Sequence, residues 1–325
     1  MRTTILSTVV FAGLLAALLH IAPAHALNVK SWVSNAGDDL DPCTLARPCK
    51  SFAAALSRTL PGGEVGVLTP GGYGPIVGFK SFNLTNDGSG EAGIIVASAG
   101  RGVEVDAGAG DVISLRGLVI DGQLGGMFGI LFNSGSALHI QNCIIRNFPG
   151  PMSASGLVFD TSNNSQLFVS DTLVYNINSS FGPDADFGAI SIRAGDPGIA
   201  SAVLNRVRFE NNVNALRVTG AAALGVRVVL RDSVFSGNVG DGVAAIGGHG
   251  PAVLFVERTT AVNNGGNGIL ATGFGAVVLL SESAVVRNAV GVATVNGGQL
   301  ISYGNNEINN NLGPDGAPTG SFRLF

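Results

Sequence analysis

Asparagines recur at a nearly constant spacing in the second half of the chain. We align six of them in one column, at Asn147, Asn176, Asn212, Asn238, Asn264 and Asn288. The last four are separated by 26, 26 and 24 residues. A fixed period of this kind indicates a solenoid, because one unit cannot bury its apolar face until neighbouring units stack on it.

Each repeat unit is long enough for three short strands and three bends. At about 3.3 Å per residue, roughly 25 residues trace one coil, whereas a propeller blade needs about 40 residues. The chain has 48 glycines and only 12% charged residues, a composition that suits short strands joined by tight turns. We therefore predict an all-β fold, a parallel β-helix solenoid.

Alternation within each unit predicts which side chains face the interior. Alternating pairs such as Leu167/Val169 and Leu254/Val256 recur upstream of the asparagines and indicate short strands. A column of small residues is expected to point inward, at Cys143, Thr172, Val207, Ser233, Thr259 and Ser283. The six asparagines are expected to form a structural ladder at one bend, each amide bonding its neighbour above and below.

Other columns are expected to face solvent. Arg206, Asp232, Arg258 and Glu282 alternate in sign at one bend, which relieves the repulsion of stacked like charges. Further outward columns hold small apolar residues, such as Val253 after Arg227. Either a partner, a homo-oligomer or the inserted loops cover such strips, or the column is misaligned by one residue, which would reverse every side chain.

The N-terminus has the pattern of a secretory signal peptide. Residues 1–26 contain Arg2, an apolar run from Ile5 to Leu19, and Ala24-His25-Ala26 as a small-residue cleavage site. The run is shorter than the roughly 20 apolar residues that span a bilayer, and no later stretch is long enough. We expect a secreted or periplasmic protein with no membrane span after cleavage. A net charge of −4 argues against a nucleic-acid partner.

The segment after the signal differs from the repeats. Cys43 and Cys49 most simply form a disulfide in an oxidising compartment, which leaves Cys143 unpaired. Ser51 is expected to cap a short helix that runs to Leu60 and covers the open end of the first coil. The resulting division is a signal at 1–26, a cap at 27–63, coils at 64–311 and a tail at 312–325.

The phrase VSNAGDDLDPCTLARPCKSFAAAL, followed by GGEVGVLTPGGYGPI and the asparagine-glycine coils, resembles secreted bacterial β-helix repeat proteins of the pectate-lyase-like superfamily. The resemblance covers roughly residues 28–311. It implies a right-handed parallel β-helix, in agreement with the general hand of parallel crossovers. Members of this superfamily include lyases, hydrolases, esterases and proteins without an assigned activity, so the fold does not choose a function.

One inserted stretch, GPDADFGAISIRAGDP, combines acids with an arginine. Lyases of the superfamily pair an arginine or lysine base with calcium-binding acids, so the catalytic candidates are Asp184, Asp186 and Arg193. The binding candidates are Phe181, Phe187, Asp196 and Tyr175. The alternative is a solvated loop without chemistry.

A second motif, Gly248-His249-Gly250, matches a phrase of the polygalacturonases letter for letter. Their companion acidic phrases are absent from the coils, so we interpret the triplet as a turn. No Gly-x-Ser-x-Gly nucleophile elbow occurs. A zinc site is excluded because too few histidines and cysteines remain after signal cleavage.

These observations favour an exported β-helix that presents a surface for glycan or protein contact at the cell envelope without catalysis. The expected partner is a polysaccharide or a cell-envelope protein. The first alternative is a lyase or hydrolase that acts on acidic polysaccharide, and the second is a spike-like structural subunit. No cofactor is expected, except calcium under the lyase alternative.

Overall fold

The computed structural model describes residues 27–123, 125–149, 154–178 and 187–322. Within these residues the chain winds through three parallel β-sheets, called here sheets A, B and C, with strands numbered along the chain. The predicted signal peptide at 1–26 lies outside the described residues.

Sheet A consists of β1 Asn28–Val33, β2 Thr59–Val67, β5 Phe82–Thr85, β8 Val112–Arg116, β11 Ala137–Gln141, β14 Ser165–Ser170, β17 Ala200–Asn205, β20 Val226–Arg231, β23 Ala252–Glu257, β26 Ala276–Ser281, β29 Gln299–Ser302 and β31 Gly320–Ser321. Sheet B consists of β3 Gly71–Gly72, β6 Ala92–Ile95, β9 Leu118–Asp121, β12 Ile144–Phe148, β15 Leu173–Ile177, β18 Arg208–Glu210, β21 Val234–Ser236, β24 Thr260–Val262, β27 Ala284–Val286 and β30 Glu307–Asn309. Sheet C consists of β4 Ile76–Gly78, β7 Arg101–Asp106, β10 Phe128–Ser134, β13 Ser155–Thr161, β16 Ile190–Ala194, β19 Leu216–Thr219, β22 Val243–Ile246, β25 Asn267–Thr272 and β28 Val290–Val295.

One strand from each sheet makes one coil, so the predicted parallel β-solenoid is confirmed. Except at the two ends of each sheet, a strand pairs with the strand about one repeat before it and the strand one repeat after it, as Val229 does with Val203 and Phe255. The chain turns at an A–B bend, a B–C bend and a C–A bend in every coil. Neighbouring coils are therefore held by continuous backbone hydrogen-bond ladders.

The interior is filled by side chains that stack coil upon coil. Leu204, Leu230 and Val256 are fully buried in sheet A. In sheet B the rings of Phe209 and Phe235 stack with centroids 4.6 Å apart and planes 11° apart. That separation is close to the 4.7–4.9 Å between hydrogen-bonded strands, so identical side chains in successive coils meet at van der Waals distance.

The column of small residues after the A–B bend is buried. Its members also bond between coils: the amides of Val207 and Thr259 donate to the hydroxyls of Ser233 and Ser283, each at 3.1 Å. Cys143 belongs to the same column and is 1% exposed. Burial raises the pKa of its thiol to about 11, so the thiolate that would react is disfavoured.

Four of the six aligned asparagines form a buried row at the B–C bend. The amide nitrogen Nδ2 of Asn212 donates to Oδ1 of Asn238 at 3.0 Å, and that of Asn238 to Asn264 at 2.7 Å. Asn264 donates in turn to Asn288 at 2.8 Å, and Asn288 to Asn311 at 3.1 Å.

Asn147 and Asn176 lie one position before that row, which corrects their assignment to it. Both have positive φ, 57° and 55°, and they bond to each other at 3.2 Å. In the register of the strands, Asn176 is level with Asn211 because Tyr175 pairs with Glu210. Asn147 and Asn176 therefore adopt the left-handed backbone conformation that asparagine tolerates, at the position just before the row. The asparagines of the row have a different role, which is to form buried hydrogen bonds.

The alternating charges line the A–B bend. Arg206 Nε lies 2.6 Å from Asp171 Oδ1, and Arg258 Nε lies 2.8 Å from Asp232 Oδ1. Asp171 is a further member of this column, one coil before Arg206. The guanidinium groups of Arg206 and Arg258 lower the pKa values of Asp171 and Asp232, respectively. These solvent-exposed pairs relieve charge repulsion between coils and add little stability.

The N-terminal segment closes the first coil. Helix α1, Phe52–Ser57, packs on β1, β2 and β4, and the Ser51 hydroxyl accepts the Ala54 amide at 3.2 Å. The predicted helix to Leu60 is too long, because Thr59–Val67 instead forms β2 beside β1. The Cys43–Cys49 disulfide is confirmed. Strands β1 and β31, in the predicted cap and tail, both belong to sheet A.

The structure explains why one position of the Gly-His-Gly triplet, Gly250 at a C–A bend, is a glycine. A Cβ atom at this position would lie 1.7 Å from the backbone oxygen of Ala222 in the preceding coil. We expect Gly250→Ala to lower the free energy of unfolding by about 3 kcal/mol, because two backbones must separate. Urea denaturation followed by circular dichroism measures this loss.

Gly110 is the matched control for that prediction. A Cβ atom at Gly110 would have nothing within 4 Å, so Gly110→Ala should change stability by less than about 0.5 kcal/mol. Equal effects of the two substitutions would show that close approach of backbones does not explain Gly250.

Candidate functional site

Of the residues proposed as a catalytic loop, Asp184, Asp186 and Phe181 lie outside the described residues. Arg193, Phe187, Asp196 and Tyr175 are described, and they do not form one cluster. Arg193 is in β16 of sheet C, Asp196 follows at the C–A bend, and Tyr175 is in β15 of sheet B. The assignment of Asp184, Asp186 and Arg193 to catalysis stays a prediction.

Arg193 joins two groups on the outer face of sheet C. Its Nη2 lies 2.8 Å from Asp160 Oδ2, and its guanidinium carbon lies 4.8 Å from the centre of the Phe187 ring. Phe187 also lies 6.1 Å from Phe128, centre to centre. These contacts attach the end of the inserted stretch to sheet C. Asp160 was missed in the sequence because it lies one coil before Arg193 in the chain and becomes its neighbour only through the pairing of β13 with β16.

Asp196 and Tyr175 have partners of their own. Asp196 Oδ1 accepts the amide of Ala223 in the next coil at 2.8 Å, which is a bend-stabilising bond. The hydroxyl of Tyr175 lies 3.5 Å from Arg146 Nη1, and Arg146 Nε donates to Asp121 Oδ2 at 2.6 Å. The hydrogen bond that Arg146 donates to the Asp121 carboxylate raises the pKa of Arg146, so this arginine is a fixed cation on sheet B.

The described part of the chain contains no group of three or more histidine, cysteine, aspartate or glutamate side chains that could hold a metal ion. A cavity of about 600 Å³ beside the cap is lined by Ala53, Val77, Arg101 and Glu104 among others. Its arginine and glutamate pair with each other at 2.8 Å, which satisfies the two charges that could orient a ligand.

The outer face of sheet A carries a continuous apolar column, called here the apolar strip. Its members are Phe168, Val203, Val229, Phe255, Leu279 and Ile301, which pair in register from β14 to β29. All six are half-buried rather than covered. Earlier coils hold polar residues in the same column, such as Asn83 and Ser114.

Within the strip, two phenyl rings bracket two valines. Phe168 and Phe255 are three coil steps apart, or roughly 14 Å at about 4.8 Å per step, with Val203 and Val229 between them. We call this space the trough; its volume is about 280 Å³. Its lining residues are Gln166, Phe168, Ser201, Ala202, Val203, Arg227, Val228, Val229, Val253 and Phe255.

Aromatic neighbours orient both phenyl rings. His139 stacks on Phe168 with centroids 4.7 Å apart and planes 10° apart. That distance is one coil step, so the faces of these rings are directed along the solenoid axis. The face of Phe168 that is not stacked on His139 therefore borders the trough. Tyr303 meets Phe255 edge to face at 6.1 Å. Desolvation lowers the pKa of His139, which favours the neutral ring in this stack.

Polar groups border the valine floor on both sides. Gln166, Ser201 and Arg227 form one border, in register with one another. On the other border, Asn205 Oδ1 is buried and has no hydrogen-bond partner among the described residues, whereas Arg231 Nε lies 3.7 Å from Glu257 Oε2. A buried polar atom without a partner is uncommon, and a ligand supplies one explanation for it.

No family model matches the chain. No curated protein matches it either. Two solved structures do: a rhamnogalacturonan lyase, at 11% identity and a TM-score of 0.51, over 79% of this chain and 74% of that one, and the pectate lyase Pel9A, at 13% identity and a TM-score of 0.45, over 87% of this chain and 79% of that one.

At such low identity the likeness concerns the fold and carries no substrate or catalytic residue to this chain. No helix in the described ranges is long and apolar enough to cross a membrane. The three parallel sheets and the stacked coils show that the chain is a parallel β-solenoid, and the likeness to the rhamnogalacturonan lyase agrees with this fold.

Proposed function

We propose that this protein is a non-catalytic β-helix that presents the outer face of sheet A for contact with a glycan or a protein at the cell envelope. The observation that supports this proposal is the apolar strip, which stays half-exposed from Phe168 to Ile301 and has polar groups on both borders beside Val203 and Val229. Contiguous apolar surface with a polar rim is typical of binding sites on soluble proteins.

The dimensions of the strip favour a narrow occupant. Five coil steps give a length of about 24 Å, and three outward positions along each strand give a width of about 13 Å. The product, about 300 Å², is well below the roughly 800 Å² per partner of a standard protein interface. An extended chain that lies along the strip matches this shape, and we therefore favour a glycan.

The chemistry of the strip is compatible with sugar rings. A pyranose has apolar C–H faces that pack on an aromatic ring, as Phe168 and Phe255 would allow. Its hydroxyl groups lie at the ring edge, where Gln166, Ser201 and Asn205 offer hydrogen-bond partners.

The test is retention of a panel of acidic and neutral polysaccharides on the immobilised protein. Val229→Glu puts a carboxylate in the centre of the strip, where its desolvation opposes binding, and we expect at least a tenfold loss of affinity. Val262→Glu is the matched control, because Val262 is a half-buried valine on the outer face of sheet B. It should bind within twofold of the unsubstituted protein.

Two outcomes would contradict the proposal. Equal loss of binding in both variants, or retention of no polysaccharide at all, would rule out a glycan as the ligand of the strip. A protein that binds the unsubstituted chain but not Val229→Glu would then be the ligand instead. A calcium-dependent rise in the absorbance of unsaturated uronate, or release of reducing ends, would make the protein an enzyme and return attention to Asp184, Asp186 and Arg193.

A further inference from the structure

The trough differs from the rest of the apolar strip in having an aromatic ring at each end. Phe168 is already stacked on one face by His139, so its other face is the one available to a ligand. The residues between the two rings, Val203 and Val229, have smaller side chains, which leaves a recess with an aliphatic floor. A flat apolar ring placed there would stack on phenyl and pack on methyl groups together.

The trough also has a cation at its border. Among the described residues Arg227 forms no ion pair. Its neighbours in the same column of sheet A are Ser201 and Val253, so no acid faces it from the adjacent strands. By contrast, Arg231 on the same strand lies 3.7 Å from Glu257. Arg227 is therefore a positive charge beside an apolar recess, available to an anion.

We propose that the trough binds a flat aromatic ring that bears a carboxylate, with the ring between Phe168 and Phe255 and the carboxylate on Arg227. This inference goes beyond the proposed function, because it assigns to the trough a small-molecule ligand in addition to the glycan that the whole strip is proposed to contact. The lining fits such a group, because most of its side chains are apolar, as the ring requires, and Arg227 supplies the positive charge for the carboxylate.

The experiment is a calorimetric titration of the protein with 2-naphthoate, and in parallel with 2-naphthalenemethanol, which has the same ring without the charge. We expect the acid to bind at least tenfold more tightly than the alcohol, because only the acid pairs with the guanidinium. Arg227→Gln should remove that preference. Phe168→Ala should lower the affinity for both compounds by about tenfold.

Arg287→Gln and Phe274→Ala are the matched controls, since both residues are outside the trough and Phe274 is 82% exposed. Each should bind 2-naphthoate within twofold of the unsubstituted protein. Absence of saturable binding, equal affinity for the acid and the alcohol, or losses in the controls as large as those in the trough would each overturn the inference. Polysaccharide retention is measured separately, so failure here leaves the proposed function open to its own test.

Discussion

Replacing Phe235 with alanine is expected to lower the free energy of unfolding by about 3–5 kcal/mol, the largest loss that we predict for a single core position. The Phe235 ring is fully buried and stacks on Phe209. Its partner in the next coil is Ala261, which is too small to fill the space that the ring would vacate. The cavity therefore persists across two coils, and lost packing adds to lost burial.

Urea denaturation of the purified protein measures this effect, with the midpoint followed by circular dichroism. Phe274→Ala serves as the control, because that ring is 82% exposed and should contribute less than about 0.5 kcal/mol. A loss below about 1 kcal/mol for Phe235→Ala would mean that the stacked interior of sheet B relaxes around the missing ring.

The second large effect is expected at Asn264, in the centre of the buried row. Its Oδ1 accepts the backbone amide of Asn238 at 3.2 Å and the Asn238 side chain at 2.7 Å, while its own Nδ2 donates to Asn288 and to the Phe235 carbonyl. Asn264→Ala would leave both donors of Asn238 buried without an acceptor. At about 1–3 kcal/mol for each buried group, we expect a loss of about 3–5 kcal/mol.

Asn263 provides the comparison, because it precedes Asn264, is exposed and has a φ of 56°. Asn263→Gly keeps that backbone conformation and should cost less than about 0.5 kcal/mol. Hydrogen exchange offers a second readout: the Asn238 amide should exchange faster in Asn264→Ala than in Asn263→Gly. Similar protection in the two variants would show that the row is not needed to hold the bend.

The inward columns could be predicted from letters alone, because inward and outward side chains alternate with a period of two in any strand. The same alternation contained the signal for the apolar strip. Phe168 lies between the inward residues Leu167 and Val169, and Phe255 between Leu254 and Val256, so both had to face outward. The predicted binding residues lay in the inserted stretch or just before it, and these two phenylalanines were not among them.

Aligning the repeat units by residue type alone gave the wrong register where the units differ in length. Asn147 and Asn176 matched the asparagine column by residue type, but hydrogen-bonded pairing of β15 with β18 sets them one position earlier. A difference of one residue exchanges a buried bonding position for a left-handed one, because each position of the bend has its own backbone conformation. Only the register between coils distinguishes the two.

The amino-acid sequence by itself determined that this protein is a solenoid, since the repeat length, the alternation and the small residues at bends are local properties of the chain. The tertiary structure decided which residues from different coils meet: Arg193 with Asp160, His139 with Phe168, and the trough between Phe168 and Phe255. The physical reason is that a neighbour in a solenoid is one coil away rather than one residue away. Sites on its surface are therefore set by the stacking register, which insertions of varying length conceal in the sequence.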